Sequence, residues 1–362
     1  MRGFFPLDRK LRLRSDHWSE GAARVATRMA LRAPSFQKAA EDYTDAVGSS
    51  ISRMSVWRIA TGAGQVLARR KKVEAQRASA PAQRGETPRT RRVEEERPIQ
   101  GQGNISTDGT MILIREEGWK EVKVGAFSQV ETLPPRPHPK WADRAEGQPS
   151  RRDNDPRVKL SQHSYVAGLW EADEFAKYQY AEGLRRGLEQ VEKLSSVNDG
   201  ALWIERITFT NFPQATQIVD WAHASGRLHT VAKAVLGEGS ARSTQWVEAR
   251  LDKLWDGQVE KVVKALRALG LDQDKWPDEV RQAPGYFETN MERMRYNQFR
   301  AAGYPIGSGT VESGAKNVVH LRMRRPGRGW NRQYANAMLA LLSEYHSDRF
   351  DQTWFHLCQP AA

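Results

Sequence analysis

The 362-residue sequence predicts an α/β core built on a mixed sheet with an α-helical insertion, behind an N-terminal all-α helix-turn-helix domain. Three patterns lead there. Apolar residues recur at helical spacing from Trp18 to Leu67, alternate at period two from Ile105 to Val130, and then follow helical and strand periods in turn beyond Asp173. A chain of this length exceeds what one core usually organises, so two or three domains are expected.

In the first segment Ser35 caps a helix that runs to Val47-Gly48, and Ser52 to Arg58 opens a second short helix with hydroxyl and basic groups at its start. That is the helix-turn-helix pattern, although any packed helix pair shares it. Arg53 and Arg58 are its candidate DNA contacts, and residues 1–67 form the domain. Residues 68–102 are rich in Arg, Glu, Pro and Ala, with RRKK at Arg69 to Lys72 and TRR at Thr90 to Arg92, and show no sustained apolar period. They read as a solvated basic linker whose arginines either track phosphates or only confer solubility.

Strands at Ile105 to Arg115 and Trp119 to Val130 flank the turn-like Glu116-Glu117-Gly118, and His163 to Trp170 adds a third after a Pro- and Arg-rich loop, Leu133 to Arg157. A helix from Asp173 to Lys193 is followed by short strands at Leu194 to Val197 and Gln217 to Trp221. The order βββαβαβ fits an RNase H-like core over residues 103–235 and 303–354. A helical insertion, residues 236–302, contains Thr244 to Leu269 and Tyr286 to Ala302, and the last helical segment starts near Val311.

With 56 Lys+Arg against 44 Asp+Glu, the formal charge is +12 and the pI about 9.8, a field that attracts polyanions and weakens with salt. Twelve Trp and 39% hydrophobic residues exclude a mere basic tail. The single cysteine, Cys358, excludes an internal disulfide and a Cys-based zinc cluster and suits a reducing compartment. No stretch approaches the roughly 18 apolar residues of a membrane span, and MRGFFPLDRKLRLR has no long apolar core behind its charges. A cytoplasmic, nucleoid-associated protein with no membrane contact is expected.

Three acids stand where such a sheet presents chemistry: Asp108 in STDGT, Asp199 in VNDGALWI and Glu312 in PIGSGTVESGAK. Glycine beside or just ahead of each lets the backbone turn tightly, and carboxylate oxygens are the hard ligands that Mg²⁺ requires. In two-metal phosphoryl transfer, acids converge on ions roughly 4 Å apart. A lone Asp-Gly is usually a surface turn.

Taken with their surroundings, the motifs are more specific. ISTDGTM with the downstream GWKEVKVGAF, then NDGALWI, IVDWAH and YPIGSGTVESGAKNVVHLRMRRPGRGW resemble the Mutator-like branch of bacterial insertion-sequence DDE transposases, in particular the ISKra type. FFPLDRKLRL, APSFQKAAEDYTDAVGSSIS and NAMLALLSEYHSDRF look like the same family's words in the same order, so the likeness covers nearly the whole chain. It implies Asp108, Asp199 and Glu312 as catalytic metal ligands on an RNase H-like fold, Mg²⁺ as cofactor with Mn²⁺ as substitute, and cleavage and strand transfer at insertion-element ends. It also implies double-stranded DNA, terminal repeats and target, as partner, bound by a homo-oligomer. The family's Asp-x-x-His pair falls on Asp220 and His223, expected to support the site rather than ligate, because three acids already account for the metals.

Five arginines surround flexible glycines and one aromatic in the run Arg322 to Arg332. Arg322, Arg324, Arg325, Arg328 and Arg332 are candidate phosphate contacts, with Trp330 able to stack on an exposed base and Lys316 facing the scissile phosphate. Two departures from the family stand out. Relatives often carry a Cys-rich zinc module upstream of the FFPLD-like segment, which suggests a truncated copy here. Leu194 to Asn198 is also more polar than the apolar strand expected before the second acid. The alternatives are a nuclease on the same fold that cuts without joining, and an inactive remnant that only binds DNA.

Overall fold

The computed structural model describes residues 13, 18–80, 96–135, 155–271 and 274–359. The FFPLD-like segment except Leu13, the Thr90 to Arg92 run and most of the 133–157 loop lie outside them.

Three helices come first: α1 (Glu20–Arg32), α2 (Phe36–Val47) and α3 (Arg53–Ala78). Ser19, Ser35 and Ser52 each accept a backbone N–H of the first turn, and Gly48, with φ +71°, supplies the left-handed stop after α2. The sheet follows as β1 (Gln102–Ile114), β2 (Gly118–Leu133) and β3 (Arg157–Gly168). Then come α4 (Ala172–Arg185), β4 (Lys193–Asn198), α5 (Leu202–Asn211) and β5 (Thr216–Val219). Strand order is β3-β2-β1-β4-β5, with β1 antiparallel to β2, β2 antiparallel to β3, and β1, β4 and β5 mutually parallel. The fold class is therefore α/β with a mixed sheet.

Helices α6 (Trp221–Leu236), α7 (Ala241–Trp255), α8 (Val259–Arg267), α9 (Asp278–Arg281), α10 (Ala283–Thr289) and α11 (Tyr296–Ala301), with a 3₁₀ turn at Met291–Met294, pack a core of their own against β4 and β5. The expected helix from Thr244 to Leu269 is broken, because Gly257 takes φ +69° between α7 and α8. The chain returns through α12 (Gly309–Gly314), a π-helical turn (Ala315–His320) and α13 (Leu321–Met323), then α14 (Arg332–His346) and α15 (Phe350–Cys358).

Two expectations need correction. The second helix of the N-terminal pair is not short: α3 runs through the expected boundary at 67 and takes in RRKK. The basic run stays helical because Lys71 forms a buried ion pair with Glu344 of α14, so this part is not a solvated linker. Nor is the N-terminal segment a separate body. Ala26, Ala30, Tyr43, Ile59 and Ala63 share one core with Ile112, Ile114, Val122 and Val124 of the sheet and Leu339 and Leu342 of α14. The opposite face is covered by α4 and α5, around Ile105, Phe127, Phe175 and Phe212. Among the described residues no helix is long and apolar enough to cross a membrane.

Candidate active site

The parallel β1/β4 ladder ends at Ile105 and Ser196, and side chains take over where backbone pairing stops. Asn198 Oδ1 accepts from Thr107 N at 2.6 Å, while its Nδ2 donates to Ser196 Oγ at 2.8 Å. Ser195 Oγ donates to Asn104 Oδ1 at 2.8 Å. All of these groups are buried, and each finds a partner, as a low-dielectric interior demands. The polarity of β4, read above as a departure, is thus a satisfied network that ends the ladder just before Asp108 and Asp199.

Asp108 lies on β1 opposite Val124, on the sheet face that also receives α12. Asp199 follows β4 in a tight turn: its Oδ1 accepts from Ala201 N at 2.9 Å, and Tyr286 of α10 donates to its carbonyl at 2.9 Å. Gly200 is required here twice over. Its φ is +91°, and a Cβ would stand 3.2 Å from the Tyr286 ring. Glu312, exposed on α12, is brought in because that helix lies close to the sheet: a Cβ at Gly314 would meet the Tyr165 ring at 2.7 Å.

Electrostatics tie the three acids together. Burial raises the Asp108 carboxyl above its ordinary range, and the charges of Asp199 and Glu312 push the same way; the Gly109 N–H and the charge of His223 oppose them. Hydrogen bonding to Asp220 raises His223 against the effect of burial, helped by the charges of Asp220, Asp199 and Asp108. Asp108 and His223 thus each feel charged groups carried by other elements of the fold.

Within this cluster the tightest group is not the trio expected from sequence. Among the described residues, the ligand atoms of Asp220, His223 and Glu312 lie within 4.8 Å of one another. Asp220, however, is occupied. One carboxylate oxygen accepts His223 N at 2.9 Å, capping α6, and the other accepts Ser308 N at the entrance to α12. Its own N–H donates to Asn198 O at 2.7 Å, and Trp221 N to Ile306 O at 2.9 Å. Burial would raise this carboxyl, but the bonds with His223 and Ser308 outweigh it and hold the pKa at about 2. Asp220 is a clasp that joins β5, α6 and the strand of chain leading to Glu312.

Replacing Asp220 by Asn keeps its size but sets an NH₂ group against one of two backbone donors. Buried hydrogen bonds to a charged group contribute about 1.5–3 kcal/mol each, so Asp220→Asn should destabilise by about 2–3 kcal/mol in urea unfolding at neutral pH. An unchanged midpoint would show that the bonds Asp220 accepts from His223 and Ser308 contribute nothing to stability.

The basic segment divides in two. Arg324, Arg325 and Arg328 are exposed, as are Arg53, Arg58 and Lys316. Arg322 is buried and donates to Ala30 O at 2.9 Å, its guanidinium set over Phe36 and Trp330. Trp330 is half-buried, its indole N–H donating to Met323 O at 3.1 Å. Arg332 pairs with Glu117 at 2.7 Å. The expectation that Arg322 touches phosphate and Trp330 stacks on a base is thus corrected: both side chains are engaged in seating the loop, at a desolvation cost that lowers the Arg322 pKa, and spacing alone cannot tell them from exposed neighbours. Arg332 is engaged at the hairpin tip. The contributions of Asn198 and Tyr286 were missed; their only signal in the sequence was a polar residue ending a strand and a lone aromatic in the insertion.

No protein-family model matches this chain, and no curated protein matches it significantly.

Proposed function

We propose that the chain is a metal-dependent DNA strand-cleaving and strand-joining enzyme of the DDE type, with Asp108, Asp199 and Glu312 as its catalytic acids. The observation that carries the reading is the acidic cluster at one end of the sheet, where the ligand atoms of Asp220, His223 and Glu312 lie within 4.8 Å of one another and the charges of Asp199 and Glu312 reach the Asp108 carboxyl, already raised by burial. The strand order, with β1 central, supports an RNase H-like core. A +12 chain with exposed Arg324, Arg325 and Arg328 suits a polyanionic substrate.

The residues suit a divalent cation: the acids at this end of the sheet offer hard oxygen donors, with the ligand atoms of Asp220, His223 and Glu312 within 4.8 Å of one another, and the charge of His223 opposes that of Asp199 and Glu312 at Asp108. Asp108, Asp199 and Glu312 would hold Mg²⁺ or Mn²⁺, which when bound supplies activation of the attacking oxygen and stabilisation of the leaving oxygen. The chain's own groups do the rest. Asp220 fixes the approach of α12 to the β5 terminus, Tyr286 holds the Asp199 turn, and the exposed arginines hold phosphates. Water attacks one phosphodiester and releases a 3′-hydroxyl; that hydroxyl then attacks a second phosphodiester, so no protein–DNA covalent bond is needed. Exposed Arg53 and Arg58 at the start of α3 are the duplex contacts on this reading, and assembly of copies on DNA is part of it.

The test is incubation with DNA carrying the element's flanking inverted repeats, in Mg²⁺ and in EDTA. Metal-dependent 3′-hydroxyl ends and joined products are expected. Cleavage without joining would favour a nuclease, and neither product would sink the enzymatic reading.

A further inference from the structure

The hairpin of β1 and β2 projects past Asp108, and its two faces differ. Ile112, Ile114 and Val122 are sealed into the core with α14. On the other face Trp119, opposite Leu113, is 56% exposed. One exposed aromatic means nothing by itself; its setting does. Trp330 N donates to Leu113 O at 2.9 Å and Arg115 N to Trp330 O at 2.8 Å, so the loop after α13 is stitched to the free edge of β1. The buried stack of Arg322, Phe36 and Trp330 anchors that loop from beneath.

The anchoring holds Arg324, Arg325 and Arg328 beside the hairpin, and the Arg324 guanidinium sits 5.8 Å from the Trp119 ring centroid. Among the described residues no carboxylate pairs with these three arginines. The nearby acids Glu117 and Glu121 are already matched by Arg332 and Lys123. Arg325 donates to Leu321 O at 2.9 Å and Arg328 to Pro34 O at 2.6 Å, each through one nitrogen. An open indole edged by exposed guanidinium groups that no carboxylate neutralises combines a stacking face with phosphate donors, the pair of features that single-stranded nucleic acid requires.

We infer that Trp119, backed by Arg324, is a stacking platform for an unpaired DNA base, flanked by Arg325 and Arg328 as phosphate contacts. The role that sequence spacing suggested for Trp330 passes to Trp119, which the fold leaves open. Leu113 lies five residues along β1 from Asp108, about 17 Å at roughly 3.4 Å each. The inference rests on the DNA reading above and names the form of DNA that the site handles: an end opened into single strands.

The full chain is titrated in Ca²⁺ with fluorescein-labelled oligothymidylate and, separately, with a blunt duplex. Trp119→Ala should weaken oligothymidylate binding about tenfold, the scale of one lost base stack, and leave the duplex nearly unchanged; Trp119→Phe should keep most of the affinity. The salt dependence should stay as in the parent for Trp119→Ala and become shallower for Arg325→Ala. Since Trp119 is exposed, thermal unfolding of both Trp119 variants should match the parent. Parental oligothymidylate affinity in a folded Trp119→Ala chain overturns the platform while leaving duplex binding standing. If the parent chain binds neither DNA, the DNA reading itself falls.

Discussion

Glu312→Gln is expected to hold DNA and fail to cut it. The substitution keeps size and removes one of the charges that Asp108 feels, so a divalent ion loses an anionic oxygen ligand. Cleavage in Mg²⁺ should fall at least about a hundredfold, the scale on which a preorganised charge-stabilising group acts. Binding measured in Ca²⁺ should stay equal or rise slightly, because a negative charge near the phosphates has gone. Glu312 is exposed, so stability should hardly change. Cleavage at the parental rate would remove Glu312 from the mechanism, whatever the role of Asp108.

Arg349→Met is expected to cost the fold more than any surface change. Arg349 is 3% exposed and bonds Glu182 at 2.7 and 3.1 Å and Glu344 at 3.0 and 3.2 Å, joining α4 to α14 across the sheet edge. Burial would raise Glu182, but the charges of Arg349, Arg185 and Lys71 overcome it and bring its pKa to about 2. Glu344 is lowered by Lys71 and Arg349 against the same penalty. Removing the shared cation leaves two buried carboxylates short of a partner, a loss of about 3–5 kcal/mol. The sign with pH follows from depressed carboxylates: their contribution is present above the ordinary glutamate value of about 4.3 and is lost as pH falls toward about 2. Urea midpoints of parent and variant should therefore differ most near neutrality and converge in acid. A constant difference from pH 7 to 3 would mean that packing of Arg349, not its charge, matters.

Some of this protein was written locally. Ser19, Ser35 and Ser52 announce helix starts, Gly48 a stop, and the alternation on either side of Glu116-Glu117-Gly118 a hairpin, because caps, left-handed glycines and period-two burial act over a few residues. Of the three acid motifs only Asp199-Gly200 forms the tight turn that its glycine suggests, with φ +91° at Gly200, whereas Asp108 lies within β1 and Glu312 within α12. What only the tertiary structure decided is long-range. The Arg69 to Lys72 run looked solvated until Glu344, far along the chain, gave Lys71 a buried partner. Arg322 and Trp330 were indistinguishable from their exposed neighbours until α1 and Phe36 closed over them. Asp220 became a clasp through Ser308, 88 residues on. Charge is legible in sequence, but whether a charge meets water, phosphate or a buried counter-ion depends on which distant segment packs against it, and one-dimensional spacing carries no term for that.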